Sequence, residues 1–121
     1  LLLIGTAFEP NKISPIMMEK FGDNIIELPR PNSLLRKEII EMYLRNSRTL
    51  VDVSVNGYVG DLVNKTEGFS HRRILQLMDL ADGVAFSKFF SQKSQEPILE
   101  IECFDGAFKK LEELKLEFAI N

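Results

Sequence analysis

The chain has 121 residues, 45% of them apolar, with fifteen Lys and Arg against eighteen Asp and Glu and a formal net charge of −3. This length and composition predict one globular domain, or one small domain with a piece of another. The acidic balance gives no global electrostatic reason to bind nucleic acid or an anionic membrane, so any anion site must be local.

Two further features exclude protein classes. A single cysteine, Cys103, excludes an internal disulfide and a cysteine-based zinc site, which fits a reducing compartment such as the cytoplasm. We expect Cys103 to be a small buried apolar residue. The apolar start LLLIG is too short for a membrane span and lacks the basic flank of a signal peptide, so no membrane segment is expected.

Residues 1–31 have the pattern of the end of an α/β sheet. LLLIGT, residues 1–6, predicts a strand buried on both faces, whose neighbouring strands must come from elsewhere. EPNKISP predicts a turn and IMMEKF a short helix. NIIELP, residues 24–29, is closed by Pro29 and Pro31 and predicts a second short strand.

From Asn32 onward the chain becomes helical. Asn32 is a good N-cap for PNSLLRKEIIEMYLRN, in which Leu35, Ile39, Met42 and Tyr43 have helical spacing. TLVDVSVNGY alternates like a strand but contains Asn56 and Gly57, and we predict a loop that leads into the helix YVGDLVNKTE. Gly68 ends that helix.

Two more helices complete the predicted bundle. Ser70 caps HRRILQLMDLADGVAFSKFF, whose core-facing stripe is Ile74, Leu77, Met78, Ala81 and Ala85. ILEIE predicts a short extended piece, and a final amphipathic helix follows, marked by Phe104, Ala107, Phe108, Leu111 and Leu114. The predicted fold class is therefore mainly α: a bundle of four helices at 32–121, preceded by two short strands from the end of an α/β core at 1–31.

The motifs of common catalytic sites are missing from this sequence. None of the seven glycines is followed by Lys, so there is no G-x-x-x-x-G-K-[ST] phosphate loop. The single histidine, His71, has no Ser or Cys at a spacing that local structure would bring together, and with scattered carboxylates it makes a weak metal site. We expect no metal site and no catalysis by these residues alone.

Three segments resemble, in sequence and in order, the C-terminal half of an AAA+ ATPase module. They are TAFEPNKISPIMMEKFGDNIIELPRPNSLLRKEIIEMYL, VNKTEGFSHRRILQLMDLA and ILEIECFDGAFKKL, and together they cover nearly the whole chain. The most specific parts are LPRPNSLLRKEIIEMYL, with Arg36 where the family usually has arginine, and TEGFS, which begins the third helix of the family's helical lid. The resemblance implies that residues 32–121 are that lid and that 1–31 are the last part of the nucleotide-binding core.

The resemblance also implies a function. It implies a module that binds ATP or ADP with magnesium and couples ATP hydrolysis to remodelling of a protein or another macromolecule. The neighbouring subunits would form a homo- or hetero-oligomeric ring, with six as the expected number. The phosphate loop and the acidic strand that holds magnesium would lie upstream of Leu1, so these residues alone are expected to bind nucleotide weakly or not at all.

The resemblance assigns nucleotide contacts to four residues. Arg72 matches the second sensor, which touches the γ-phosphate and reports its loss. A helix N-terminus is in any case a favourable site for an anion. His71 replaces a glycine that lies against the base, and Ile39 and Tyr43 match positions that line the adenine pocket. The spacing of Ile39 and Tyr43 suits the bundle core equally well.

At two catalytic positions the chain departs from the family. The first sensor, a polar side chain at the tip of a strand, falls at Phe8, which cannot form a hydrogen bond; Thr6 is the candidate substitute. The pair that carries the arginine finger is Glu19 and Lys20. Lys20 keeps the charge but lacks the planar fork that grips phosphate at two points.

Two alternative functions stay open. Phe8 and Lys20 suit a hydrolysis-deficient AAA+-like scaffold subunit, which would bind partners without turnover. VGDLVNKTEGFSHRRILQLMD also has the order of a helix-turn-helix DNA-binding module, with His71, Arg72 and Arg73 at the start of a recognition helix. The acidic total, and Gln76 and Asp79 farther along that helix, disfavour nucleic acid.

Overall fold

Five α-helices make up most of the chain in the computed structural model, which describes residues 2–7, 10–92 and 96–120. The helices are α1 (Pro15–Phe21), α2 (Ser33–Arg45), α3 (Val53–Lys65), α4 (His71–Gln92) and α5 (Ile101–Ile120), and a 3-10 turn covers Pro10–Lys12. Two short strands, β1 (Leu50–Val51) and β2 (Ile98–Leu99), pair in parallel with Leu50 opposite Ile98. The mainly α fold class is confirmed. None of the helices among the described residues is long and apolar enough to cross a membrane.

The helix boundaries follow from capping residues. The Asn32 side chain accepts a hydrogen bond from the Leu35 amide at 2.9 Å, and the Ser70 hydroxyl accepts one from the Arg73 amide at 3.2 Å. Each satisfies an amide that the first turn of a helix leaves without a backbone acceptor. Gly68, with φ of 81°, lies in the left-handed region between α3 and α4. The predicted caps are confirmed, but α3 ends before the predicted stop at Gly68: its last residue is Lys65 and Thr66 is its C-cap.

The hydrophobic core lies among α2, α3, α4 and α5. Among the described residues, the buried apolar ones fall between Ile39 and Leu111, and Phe104 is fully buried with its ring centroid 5.9 Å from that of Tyr58. Burying a large apolar side chain contributes about 1.5–3 kcal/mol. Cys103 is buried, as expected, and the predicted α4 stripe is confirmed at all five of its positions: Ile74, Leu77, Met78, Ala81 and Ala85.

The two strands predicted in residues 1–31 are absent. The described part of the first, residues 2–6, and the whole of the second, residues 24–29, have no ladder partner, and Leu3 and Ile26 are 68% and 88% exposed. A strand needs a neighbour to satisfy its backbone groups, and the only sheet in the described chain pairs β1 with β2. Leu1 lies outside the described residues. The chain does have two short strands, but they lie within the helical part.

Two further boundaries differ from the prediction. TLVDVSVNGY is not a loop: Leu50 and Val51 form β1, and α3 already begins at Val53, after Asp52. Asn56 and Gly57 lie on its exposed face, where neither disturbs packing, while Val55 is buried. The extended ILEIE shortens to β2, and α5 begins at Ile101.

The buried face of α2 also differs from the expected apolar stripe. Leu35 and Met42 are 48% and 56% exposed, whereas Ile40 is fully buried. Arg36 is also buried, with 7% of its surface exposed. Its Nε and Nη2 donate to the Val63 carbonyl at 3.3 and 3.1 Å, and its Nη1 donates to the Pro31 carbonyl at 3.2 Å. A charged side chain therefore joins α2 to the end of α3.

Candidate functional site

Two concavities flank the first turn of α4. The first, which we call the arginine pocket, has a volume of about 640 Å³, and its polar lining comprises Arg30, Glu67, Ser70, Arg72, Arg73 and Gln76. The second, which we call the α2–α4 groove, has a volume of about 780 Å³ and an apolar floor of Leu35, Ile39, Met42, Tyr43, Leu75 and Phe86. The two share no lining residue.

The arginine pocket is positively charged. It contains three guanidinium groups and one carboxylate, that of Glu67. Arg30 donates from Nη1 to the Gly68 carbonyl at 2.8 Å, and the Arg73 guanidinium lies 4.9 Å from the centroid of the Phe69 ring. Both contacts leave the charge uncompensated, because neither partner is an anion.

Arg72 and Arg30 are the exposed arginines of this cluster, and Arg72 is the one at the first turn of α4. In the described part of the chain its side chain makes no hydrogen bond or ion pair. The Ser70 hydroxyl accepts a hydrogen bond from the Arg73 amide. The amides of His71 and Arg72, in the same first turn, have no acceptor within the helix. Free amides, the positive end of a helix dipole and planar guanidinium donors are the groups that bind phosphate or carboxylate. The donor set of the arginine pocket therefore fits an anion.

The α2–α4 groove has an acidic centre. The Tyr43 hydroxyl lies 2.6 Å from Asp82 Oδ2 and 2.8 Å from Asp79 Oδ1, and Asp82 Oδ1 also accepts from the Thr49 hydroxyl at 3.1 Å. Burial, and then the hydrogen bonds to Asp82 and Asp79, raise the pKa of Tyr43 far above its usual 10.0. Because one hydroxyl carries one proton, Tyr43 donates to only one of the two carboxylates at a time.

The structure separates the predicted nucleotide contacts. His71, Ile39 and Tyr43 share the α2–α4 groove, whereas Arg72 lies in the arginine pocket. Ile39 belongs to the hydrophobic core at 9% exposure, and Tyr43 packs against that core.

The predicted catalytic substitutes lie elsewhere. Thr6 is in the extended segment 2–7 and Lys20 is exposed on α1, and neither lines the arginine pocket or the α2–α4 groove. Phe8, at the first-sensor position, lies outside the described residues. Among the residues that the structure does describe, no three His, Cys, Asp or Glu side chains come together as a metal site.

Sequence reasoning missed Arg30 and the carboxylates of the groove. Arg30 reaches the arginine pocket through a contact across 38 positions, for which the sequence carries no local signal. A signal did exist for Asp79 and Asp82. Together with Leu75 they follow His71 at steps of three and four residues, the spacing of one helix face.

No protein-family model matches the chain, and no curated protein or solved structure is significantly similar to it. The resemblance to AAA+ modules is therefore carried only by the sequence segments quoted above. The arginine pocket and the α2–α4 groove are the candidate sites of this chain.

Proposed function

We propose that residues 32–121 act as the helical lid of an AAA+-type ATPase module and that Arg72 binds the phosphate of the nucleotide. The observation that carries this proposal is the position of Arg72: an exposed guanidinium without a partner among the described residues, at the first turn of α4, beside Arg30 and Arg73. Terminal phosphate is the part of ATP that hydrolysis removes, so a lid that holds it can distinguish ATP from ADP.

The rest of the nucleotide would extend around the same turn. His71 is adjacent to Arg72 but faces the α2–α4 groove, where Ile39 and Tyr43 also lie. A nucleotide with its phosphate at Arg72 would place its base toward His71, which agrees with the contacts implied by the resemblance. In this proposal, the groups that hold magnesium and the inner phosphates would come from the nucleotide-binding core.

Sensing would work through a difference in affinity between two lid positions. A bound γ-phosphate favours the position in which Arg72 reaches it, and loss of that phosphate removes the preference. The lid would then move on residues 28–31, and the motion would pass to the neighbouring subunit of a ring that remodels a protein or another macromolecule. Arg30 lies in that connecting segment and holds the Gly68 carbonyl, so it joins the moving segment to the pocket.

The test compares ATP binding and hydrolysis by the polypeptide that contains this chain with those of its Arg72→Ala variant. We expect the variant to bind ATP but to hydrolyse it at least about tenfold more slowly, because a guanidinium that contacts phosphate in the transition state is lost. Arg45→Ala is the matched control, since Arg45 is exposed near the end of α2 and lines neither concavity.

Two results would contradict parts of this proposal. If the parent polypeptide binds ATP without hydrolysing it, the chain belongs to a scaffold subunit, as Phe8 and Lys20 suggest. If it binds no nucleotide, or if Arg72→Ala and Arg45→Ala behave alike, Arg72 is not a nucleotide sensor.

A further inference from the structure

The floor of the α2–α4 groove has large apolar side chains that the fold leaves uncovered. Leu35, Met42, Leu75 and Phe86 are 48%, 56%, 38% and 41% exposed, and all four line this one groove. Single exposed apolar residues are common on protein surfaces, but a contiguous set in a concave site indicates a binding surface.

The charges around this floor have one predominant sign. Glu38, Asp79 and Asp82 line the groove between His71, at the start of α4, and Arg48, in the loop after α2. In the described part of the chain none of the three carboxylates has an ion-pair partner, and Asp79 and Asp82 must share the single proton of Tyr43. The middle of the groove therefore favours cationic groups, while its ends do not.

The shape of the groove suits a helix. Arg30 contacts Gly68 where α2 and α4 begin, and Tyr43 contacts Asp79 and Asp82 farther along both helices, so α2 and α4 run side by side in the same direction. Along α4 the lining extends from His71 to Phe86, about 22 Å at about 1.5 Å per residue. That length accommodates about four turns of a third helix packed between the two.

We propose that the α2–α4 groove binds a basic amphipathic helix of a partner protein. Apolar residues of that helix, three and four positions apart, would cover Leu35, Met42, Leu75 and Phe86, and Lys or Arg beside this stripe would pair with Glu38, Asp79 and Asp82. The partner is basic because the groove supplies carboxylates that have no ion-pair partner in the described chain. This binding needs no nucleotide and goes beyond the proposed ATPase function. Because the base of a nucleotide would reach the same groove at His71, the peptide is tested in the absence of nucleotide.

The probe is a fluorescein-labelled helical peptide of about fifteen residues, with leucines at helical spacing and lysines beside them. Its affinity for the 121-residue chain is measured by fluorescence anisotropy without nucleotide, next to a peptide with glutamate in place of every lysine. We expect the lysine peptide to bind at least about tenfold more tightly than the glutamate peptide.

Four variants locate the binding. Glu38→Lys changes the charge of the groove and Met42→Asn its apolar floor, and each should weaken binding of the lysine peptide at least about fivefold. Glu112→Lys and Leu34→Asn are the matched controls, because both residues are exposed and neither lines the groove, and they should change affinity less than about twofold. Circular dichroism checks that every variant keeps its helices.

Several outcomes would overturn the proposal. They are equal affinity for the two peptides, no binding of either, or lysine-peptide binding that neither groove variant weakens. If neither peptide binds but adenosine monophosphate does, and Met42→Asn abolishes its binding, the groove holds a base instead. If neither peptide binds and Met42→Asn converts a dimer into a monomer in analytical ultracentrifugation, the occupant is a second copy. If the parent polypeptide does not bind ATP, the proposed ATPase function fails, but the peptide proposal does not, because the peptide assay contains no nucleotide.

Discussion

Arg36 is a buried cation that binds only carbonyl oxygens. Its guanidinium uses two nitrogens for Val63, at the last turn of α3, and one for Pro31, which precedes α2. The carbonyls at a helix C-terminus lack amide partners and carry partial negative charge. A guanidinium there supplies both the missing hydrogen-bond donors and a positive charge. In this fold Arg36 acts as a structural clamp between α2 and α3.

Replacing Arg36 with methionine should lower stability. Arg36→Met removes three hydrogen bonds from a charged donor, although it also relieves the cost of burying that charge, and we expect a loss of about 2 kcal/mol in the free energy of unfolding. Urea denaturation measures it. Arg45→Met, at an exposed position of the same helix, should change the value by less than about 0.5 kcal/mol. Equal stability of the two variants would show that the clamp contributes nothing.

Tyr43 predicts a dependence of stability on pH. Because the folded chain raises the pKa of Tyr43 above its usual 10.0, the hydroxyl stays protonated in the fold at a pH at which the unfolded chain releases the proton. The stabilising contribution is complete below pH 10.0 and decreases as the pH rises above that value. Between about pH 9 and about pH 11, we expect the free energy of unfolding to fall more steeply for the wild type than for Tyr43→Phe. Parallel curves from urea denaturation would contradict this.

At the scale of elements, the helices were predictable where local chemistry defines them. Ser70 and the stripe beginning at Ile74 specify the start and the buried face of α4, because capping and the 3.6-residue repeat are encoded locally. The strands were predictable only in part, because pairing depends on a distant partner. β2 lies within the predicted extended piece ILEIE, whereas NIIELP has no ladder partner and β1 lies in a segment predicted as a loop.

Some residues of the candidate site were predictable, but their arrangement was not. His71 and Arg72 were both found from the start of α4, yet consecutive helical residues point about 100° apart, which places one in each concavity. Arg30 joined the arginine pocket through tertiary contact alone. The helical period could have separated the two residues in advance, whereas no sequence pattern could have supplied Arg30.

Helix α3 should gain stability from the loss of a glycine. A Cβ at Gly57 would have nothing within 4 Å, and glycine inside a helix costs about 0.5–1 kcal/mol relative to alanine. We therefore expect Gly57→Ala to raise the free energy of unfolding by about that amount in urea denaturation. Gly68→Ala should have the opposite effect and cost about 1 kcal/mol, because its φ of 81° is unfavourable for alanine. A gain at both positions would contradict the assigned backbone.

At the scale of the molecule, the core begins well after the chain does. Among the residues whose burial the structure describes, the buried apolar ones lie from Ile39 onward, while α1 buries none and Leu2, Ile26 and Leu28 are more than four-fifths exposed. The described residues before Pro29 therefore contribute little burial to the fold, and several of them present apolar side chains to solvent.

A shortened chain of residues 29–121 should consequently fold alone. It keeps the contacts of Arg30 with Gly68 and of Arg36 with Pro31, and we expect its free energy of unfolding to match that of the full chain within about 1 kcal/mol in urea. It should also aggregate less in light scattering, because the exposed apolar segments are gone. A much less stable shortened chain would show that residues 1–28 pack on the bundle.

Modification of the buried Cys103 thiol can report how often the fold opens. The only thiol of the chain is fully buried on α5, behind β2, so a thiol reagent can modify only those molecules in which α5 has separated from its neighbours. For a domain of ordinary stability this slows modification about a thousandfold or more relative to a free thiol. Because the packed interior has no room for the added group, a molecule whose Cys103 has been modified cannot close again. The fraction of modified protein therefore measures how often α5 separates from its neighbours.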